Sequence, residues 1–114
     1  GGGCKSSSEL YLQFSRRYIR DSIAGNLRIE DLAEKLGISQ AHLYRIFKTH
    51  LGISPKEYIN HCRTEHARKL LLESGLSVAE IGKAVGYSDP MAFSRFFTNQ
   101  QGMSPSGFRK EYQR

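Results

Sequence analysis

The sequence predicts an all-α fold: two helix-turn-helix subdomains joined by a long linker helix, about seven helices in all. Three observations carry this. A stretch occurs twice: Leu36-Gly37-Ile38-Ser39 leading to Arg45-Ile46-Phe47, Gly52 and Ser54-Pro55 is echoed by Val85-Gly86-Tyr87-Ser88 leading to Arg95-Phe96-Phe97, Gly102 and Ser104-Pro105. Gly37 and Gly86 lie 49 apart and Arg45 and Arg95 lie 50 apart, so the second copy has one extra residue in its turn, near Asp89. Two copies are too few for a solenoid and read as a duplicated working unit. Apolar residues also recur at helical spacing between Ser or Asp starts and Gly stops. Finally, no run of β-branched residues alternates with period two, which argues against a sheet.

Taken in order, residues 1–7 read as a leader, with Gly1–Gly3 a cloning scar and the chain a fragment of a longer protein. Residues 8–24 read as a helix whose apolar stripe is Leu10, Phe14, Tyr18, Ile19 and Ile23, ended by Gly25-Asn26. Arg16, Arg17 and Arg20 fall largely off that stripe, as a solvated face or as phosphate contacts. A short helix over 29–36 turns Ile29, Leu32, Ala33 and Leu36 inward and carries Glu30, Asp31 and Glu34 in its first turns, where negative charge suits the helix dipole. Gly37 fits a left-handed cap and a sharp turn. Ser39 then caps a helix over 40–50 with Leu43, Ile46 and Phe47 inward. Helix, glycine turn and capped helix make the helix-turn-helix pattern.

Ser54-Pro55-Lys56-Glu57 combines a capping box with Pro at the first helical position, opening a helix over 55–74 that Gly75 stops. Tyr58, Ile59, Cys62, Ala67, Leu70 and Leu71 supply its apolar surface. Ser77 and Glu80 form a second capping box for a helix over 78–85. Asp89 caps a helix over 90–100 and Ser104 one over 105–112. The organisation expected is a first unit at 8–54, a linker helix at 55–74 and a second unit at 75–114.

Composition narrows the function. The 114 residues suffice for one domain or two very small ones. With 17 basic and 11 acidic residues the net charge is +6, shared evenly: 8 against 5 in residues 1–53 and 9 against 6 in 54–114. A folded surface this basic suits a polyanionic partner, although charge alone favours the plainer reading of a merely soluble basic protein. Cys4 and Cys62 make no disulfide framework, which points to a reduced cytoplasm. No apolar run approaches membrane-spanning length, and the leader lacks the apolar core of a signal peptide.

The second helix of a helix-turn-helix is the one offered to the DNA major groove. In helix 40–50 the exposed set is Gln40, Ala41, Tyr44, Arg45 and Lys48. In helix 90–100 it is Pro90, Met91, Ser94 and Arg95, with Thr98 reaching the backbone. Arginine bonds both acceptors of a guanine, and Gln40 near the helix start suits adenine. Lys48 suits phosphate, which positions without specifying sequence. A single such arginine reads best as an ordinary solvated residue; recurrence at one place in both copies favours the DNA reading.

The residues Ala67, Leu70, Leu71, Ser74, Ile81, Val85, Gly86, Tyr87, Ser88, Asp89, Phe93, Ser94, Arg95, Phe97, Gly102, Ser104, Pro105, Phe108 and Arg109 appear in the order of a family signature. Over roughly residues 10–112 the chain resembles the DNA-binding domain of the AraC/XylS family of bacterial transcription regulators. The resemblance implies sequence-specific binding of double-stranded DNA by two units in successive major grooves, with Ala41, Tyr44, Arg45, Met91, Ser94 and Arg95 facing bases. It implies no enzymatic activity and no cofactor. Its implied partners are DNA, RNA polymerase for an activator, and an effector-binding or dimerisation domain expected to have been removed here; the family also includes small one-domain activators, the alternative reading of this chain. Three positions depart from the family pattern. Arg28 replaces a common Ser or Thr cap, Gly82 a usual Ala, and Thr98 a usual basic residue.

Other readings are weaker. His61, Cys62 and His66 cluster on the linker helix, with Cys62 and His66 at i, i+4, but a structural zinc site needs four ligands at recognisable spacing. No enzyme motif frames Cys62 as a nucleophile. Tyr87, Phe93, Phe96, Phe97 and Phe108 fall at inward helical positions and read as core. The rival class is a helical protein-interaction module with incidental basic charge. An RNA binder is disfavoured because the strands that carry stacking aromatics are missing.

Overall fold

Every described helix but one opens on a side chain that accepts a backbone amide proton. The structure, a computed structural model, describes residues 6–113. The leader reading for Gly1–Gly3 and Cys4 therefore lies outside the described residues. The helices are α1 (Ser7–Asp21), α2 (Ile29–Leu36), α3 (Gln40–Leu51), α4 (Pro55–Glu73), α5 (Val78–Ala84), α6 (Pro90–Gln101) and α7 (Pro105–Tyr112), with no strand among the described residues. Ser6, Ser39, Ser54, Ser77, Asp89 and Ser104 cap six of them through their side chains. Arg28 at the start of α2 makes no such bond, as its chemistry requires. The reciprocal box closes at Ser77, whose amide donates to Glu80. The expected box at Ser54 forms only its forward half, from the Glu57 amide to Ser54 Oγ.

Helix α1 departs most from expectation. It stops at Asp21 rather than near 24, because the Ser22 amide turns back to the carbonyls of Tyr18 and Ile19 and Gly25 bonds Ser22. Its inward face is Leu12, Ser15 and Ile19, while Leu10 and Phe14 are about half exposed. A buried serine is tolerated because its hydroxyl donates to the Tyr11 carbonyl at 2.7 Å.

Two cores follow. Leu12, Ile19, Ile23, Leu32, Ala33, Leu43, Ile46, Phe47 and Ile59 form the first. Ala67, Leu71, Ile81, Val85, Phe93, Phe97 and Phe108 form the second. Helix α4 contributes to both, its first half through Tyr58, Ile59 and Cys62 and its second through Ala67, Leu70 and Leu71. Between these halves Thr64 is buried, its hydroxyl donating to the Asn60 carbonyl. At 19 residues α4 is the longest helix, a rod of roughly 28 Å.

The end of α4 is also made differently from the expected glycine stop. Ser74 is extended, and its hydroxyl and amide both return to the Leu70 carbonyl. From α7, Arg109 donates Nε to the Leu71 carbonyl at 3.0 Å and Nη2 to that of Ser74 at 3.3 Å. A cationic donor satisfying the free carbonyls of a helix C-terminus is favourable in charge and in hydrogen bonding.

Candidate nucleic-acid interface

The two glycine turns are built alike. Gly37 has φ 69° and Gly86 φ 99°, the left-handed region that glycine enters without penalty. At the first turn the Ile38 amide reaches back to the Ala33 carbonyl; at the second the Tyr87 amide reaches that of Gly82. This six-to-one bond satisfies a carbonyl that the ending helix leaves free and swings the chain into the next helix. Ser39 and Asp89 then cap α3 and α6.

Beyond each turn the same stripe faces solvent. On α3, Ala41, Tyr44, Arg45 and Lys48 are exposed, opposite buried Leu43, Ile46 and Phe47. On α6, Met91, Arg95 and Thr98 are exposed and Ser94 half-buried, opposite buried Phe93 and Phe97. Gln40 and Pro90 are exposed at the first turn of each helix. Two large apolar side chains stand in these stripes, Tyr44 at 48% exposure and Met91 at 67%. An exposed apolar side chain at the same address as a basic one suits a surface that meets bases as well as phosphates.

Hydrogen bonds qualify two of the expected contacts. Lys48 Nζ donates weakly to the Gly52 carbonyl at 3.4 Å and lies 6.0 Å from the Tyr44 ring centroid. An ammonium has three donors, so Lys48 retains capacity for a phosphate. Thr98 donates its only hydroxyl proton to the Ser94 carbonyl at 2.7 Å, so in this rotamer it offers a ligand acceptors alone.

Other basic residues divide. Arg16 Nε donates to the Tyr58 hydroxyl at 3.2 Å, tying α1 to α4, while Arg17 and Arg20 are exposed. His42, outside the expected set, packs edge-on against Tyr11 at 5.9 Å and braces α3 on α1. Arg63 is the residue that the sequence reading missed. Its guanidinium lies 5.7 Å from the Tyr87 ring centroid, across 24 residues of sequence. The only sequence signal was a cation in the middle of a helix that serves two cores.

Around Cys62, burial pushes the thiol and the neighbouring Tyr58 hydroxyl up from their ordinary values, leaving both protonated. His61 and His66 are exposed. Among the described residues no group of three His, Cys, Asp or Glu side chains is placed to hold a metal ion. Nor is any described helix long and apolar enough to cross a membrane.

A family model described as a helix-turn-helix domain, of the AraC/XylS type, matches residues 32–111. The chain belongs to the AraC/XylS family. The Msm operon regulatory protein of Streptococcus mutans is 43% identical over 108 residues, which are 95% of this chain and 39% of that protein. This AraC/XylS domain thus spans about two fifths of the length of that relative. The C-terminal domain of AraT, a response regulator from Geobacillus stearothermophilus, superposes with a TM-score of 0.87 at 33% identity, covering 91% of this chain and 87% of that one. The DNA-binding domain of AdpA, solved in complex with a target DNA, superposes with a TM-score of 0.82 at 27% identity, covering 89% and 91%.

Proposed function

We propose that this chain is the DNA-binding domain of a bacterial transcription regulator and reads a duplex with α3 and α6 in successive major grooves. The observation that carries the reading is the twin stripe: Ala41, Tyr44, Arg45 and Lys48 recur in position as Met91, Ser94, Arg95 and Thr98. The molecule extends 49 × 30 × 21 Å. Its long axis accommodates two heads one helical turn of DNA apart, about 34–36 Å. The units at 8–54 and 75–114, with the linker 55–74, are the two heads and their spacer.

Within this reading Arg45 and Arg95 take guanine edges, and Gln40 takes adenine. Ala41, Tyr44, Pro90 and Met91 offer apolar contact, which suits thymine methyl groups. Ser94 reaches a base edge, Lys48 meets phosphate, and Thr98 stands beside the backbone as an acceptor. The first head therefore supplies most hydrogen-bond readout, and the second adds Arg95 with apolar contact. Recognition rather than catalysis is the activity. Its setting is the cytoplasm, and RNA polymerase and an effector or dimerisation domain of the parent protein are the further partners.

Selection from a randomised duplex pool yields the probe that tests this. Arg45→Ala should relax preference at one or two positions of one half-site, by about 1–3 kcal/mol per lost contact, and matter more than Met91→Ala. Lys48→Ala should weaken all duplexes alike and lower the salt slope by about one. An equal loss for Arg45→Ala across every single-base variant would assign Arg45 to phosphate and overturn the ranking.

A further inference from the structure

The second turn glycine differs from the first in what surrounds it. A Cβ on Gly37 would meet nothing within 4 Å. A Cβ on Gly86 would stand 2.8 Å from the Ile23 carbonyl oxygen and 3.2 and 3.3 Å from Arg63 Nη2 and Nε. The turn of the second head thus lies directly against backbone of the first head. Ile23 belongs to the first core, and Tyr87, next to Gly86, packs on the second, stacked on Phe96 at 5.0 Å. Arg63 from the linker helix fills the angle between them.

The Arg63 side chain is held there rather than drifting to solvent. Its Nε is buried without a hydrogen-bond partner, and its guanidinium lies over the Tyr87 ring. A planar cation over an aromatic face gains from the ring quadrupole. Asn26 and Gly25 of the first head and Lys83 and Ser88 of the second line a groove beside it. The heads are therefore tied twice, once through α4 and once through this joint.

We propose that the joint of Ile23, Arg63, Gly86 and Tyr87 sets the spacing between the two recognition helices, making Arg63 and Gly86 determinants of operator spacing although neither belongs to the base-reading stripes. This rests on the two-groove reading above. The physical basis is effective concentration: once one head is bound, a rigid tie concentrates the second at one displacement along the duplex and excludes others. A looser tie lowers affinity for the matched spacing and raises tolerance of mismatched ones.

Fluorescence anisotropy on four labelled duplexes tests it: the selected site, the same site with one base pair inserted between half-sites, and each half-site beside a scrambled partner. Arg63→Met keeps the stem and removes the planar cation. The expected result is half-site affinity within about twofold of the parent, matched-site affinity lower by roughly tenfold, and a clearly reduced preference for matched over inserted spacing. Arg63→Lys keeps the charge without the planar face and should behave likewise. Should Arg63→Met fail to fold by urea denaturation, the Lys variant decides. Unchanged spacing preference in the variant, or equal loss on isolated half-sites, overturns the proposal. A parent chain that ignores spacing overturns instead the two-groove reading beneath it.

Discussion

Arg28→Ser should stabilise the domain, because α2 is the one described helix without a side-chain cap. Residue 28 already lies in the extended region that the Ser and Asp caps of the other helices occupy, with φ −123° and ψ 134°, nearest to Asp89 at φ −98° and ψ 116°. Replacing a good cap by alanine costs about 1 kcal/mol in typical hosts, and installing one recovers a similar amount. Two smaller terms accompany the change. The substitution removes the Arg28–Glu30 pair, 3.4 Å apart with side chains 59% and 54% exposed, and an exposed pair of this kind contributes only about 0–1 kcal/mol. It also removes a positive charge from the positive end of a helix dipole, a gain of roughly 0.3–1 kcal/mol. These oppose each other, so the net expectation is about 1 kcal/mol of added stability. Urea denaturation followed by circular dichroism should show a higher midpoint at equal slope. Arg28→Ala separates the terms, since it deletes the pair and the charge without supplying an acceptor. A serine variant no more stable than the alanine variant would refute the capping argument.

Three further outcomes follow from the second unit. Gly82 is buried, and a Cβ there would stand 3.1 Å from Phe93 Cβ and Cγ. Gly82→Ala should therefore destabilise by about 1 kcal/mol, overpacking of roughly 1–3 exceeding a helix-propensity gain of about 1. The double variant Gly82→Ala with Phe93→Leu copies the Ala33 and Leu43 pair of the first unit, and a double-mutant cycle should show favourable coupling; strict additivity would argue against the clash. The Ser77 amide, and the Ser77 hydroxyl behind it, hold the Glu80 carboxyl below its usual range. A depressed folded-state value means the contribution is complete above the unfolded value and lost as pH falls through the folded one. Glu80→Gln should flatten that acid-side loss in denaturation midpoints measured across the carboxylate range, and an unchanged slope would contradict the box.

Much of the fold was legible because its helix ends are written in side chains that act locally. Ser39, Ser54, Ser77, Asp89 and Ser104 cap where their hydroxyl or carboxylate is needed, and Gly37 and Gly86 turn where a left-handed residue is needed. The twin stripes were legible for the same reason, since helical period alone decides which face Arg45 and Arg95 share. What escaped depended on contacts distant in sequence or on polar atoms satisfied locally. Ser15 hides in the first core because it bonds Tyr11 within its own helix, so the apolar pattern of α1 pointed instead to Leu10 and Phe14. The α4 terminus is finished by Arg109, 38 residues beyond Leu71. That Gly82 lies tight against Phe93 became visible only in the fold.

The measurement that bears most directly on two-headed DNA reading is hydroxyl-radical footprinting with matched anisotropy titrations over a series of salt concentrations. Two-headed reading should give protection on one face of the duplex at two positions about one helical turn apart, with affinity falling steeply in a log–log salt plot. Inserting about five base pairs, half a helical turn, between the half-sites should abolish one of the two protected positions. Undiminished affinity and unchanged protection on the inserted duplex would contradict it, as would binding indifferent to salt.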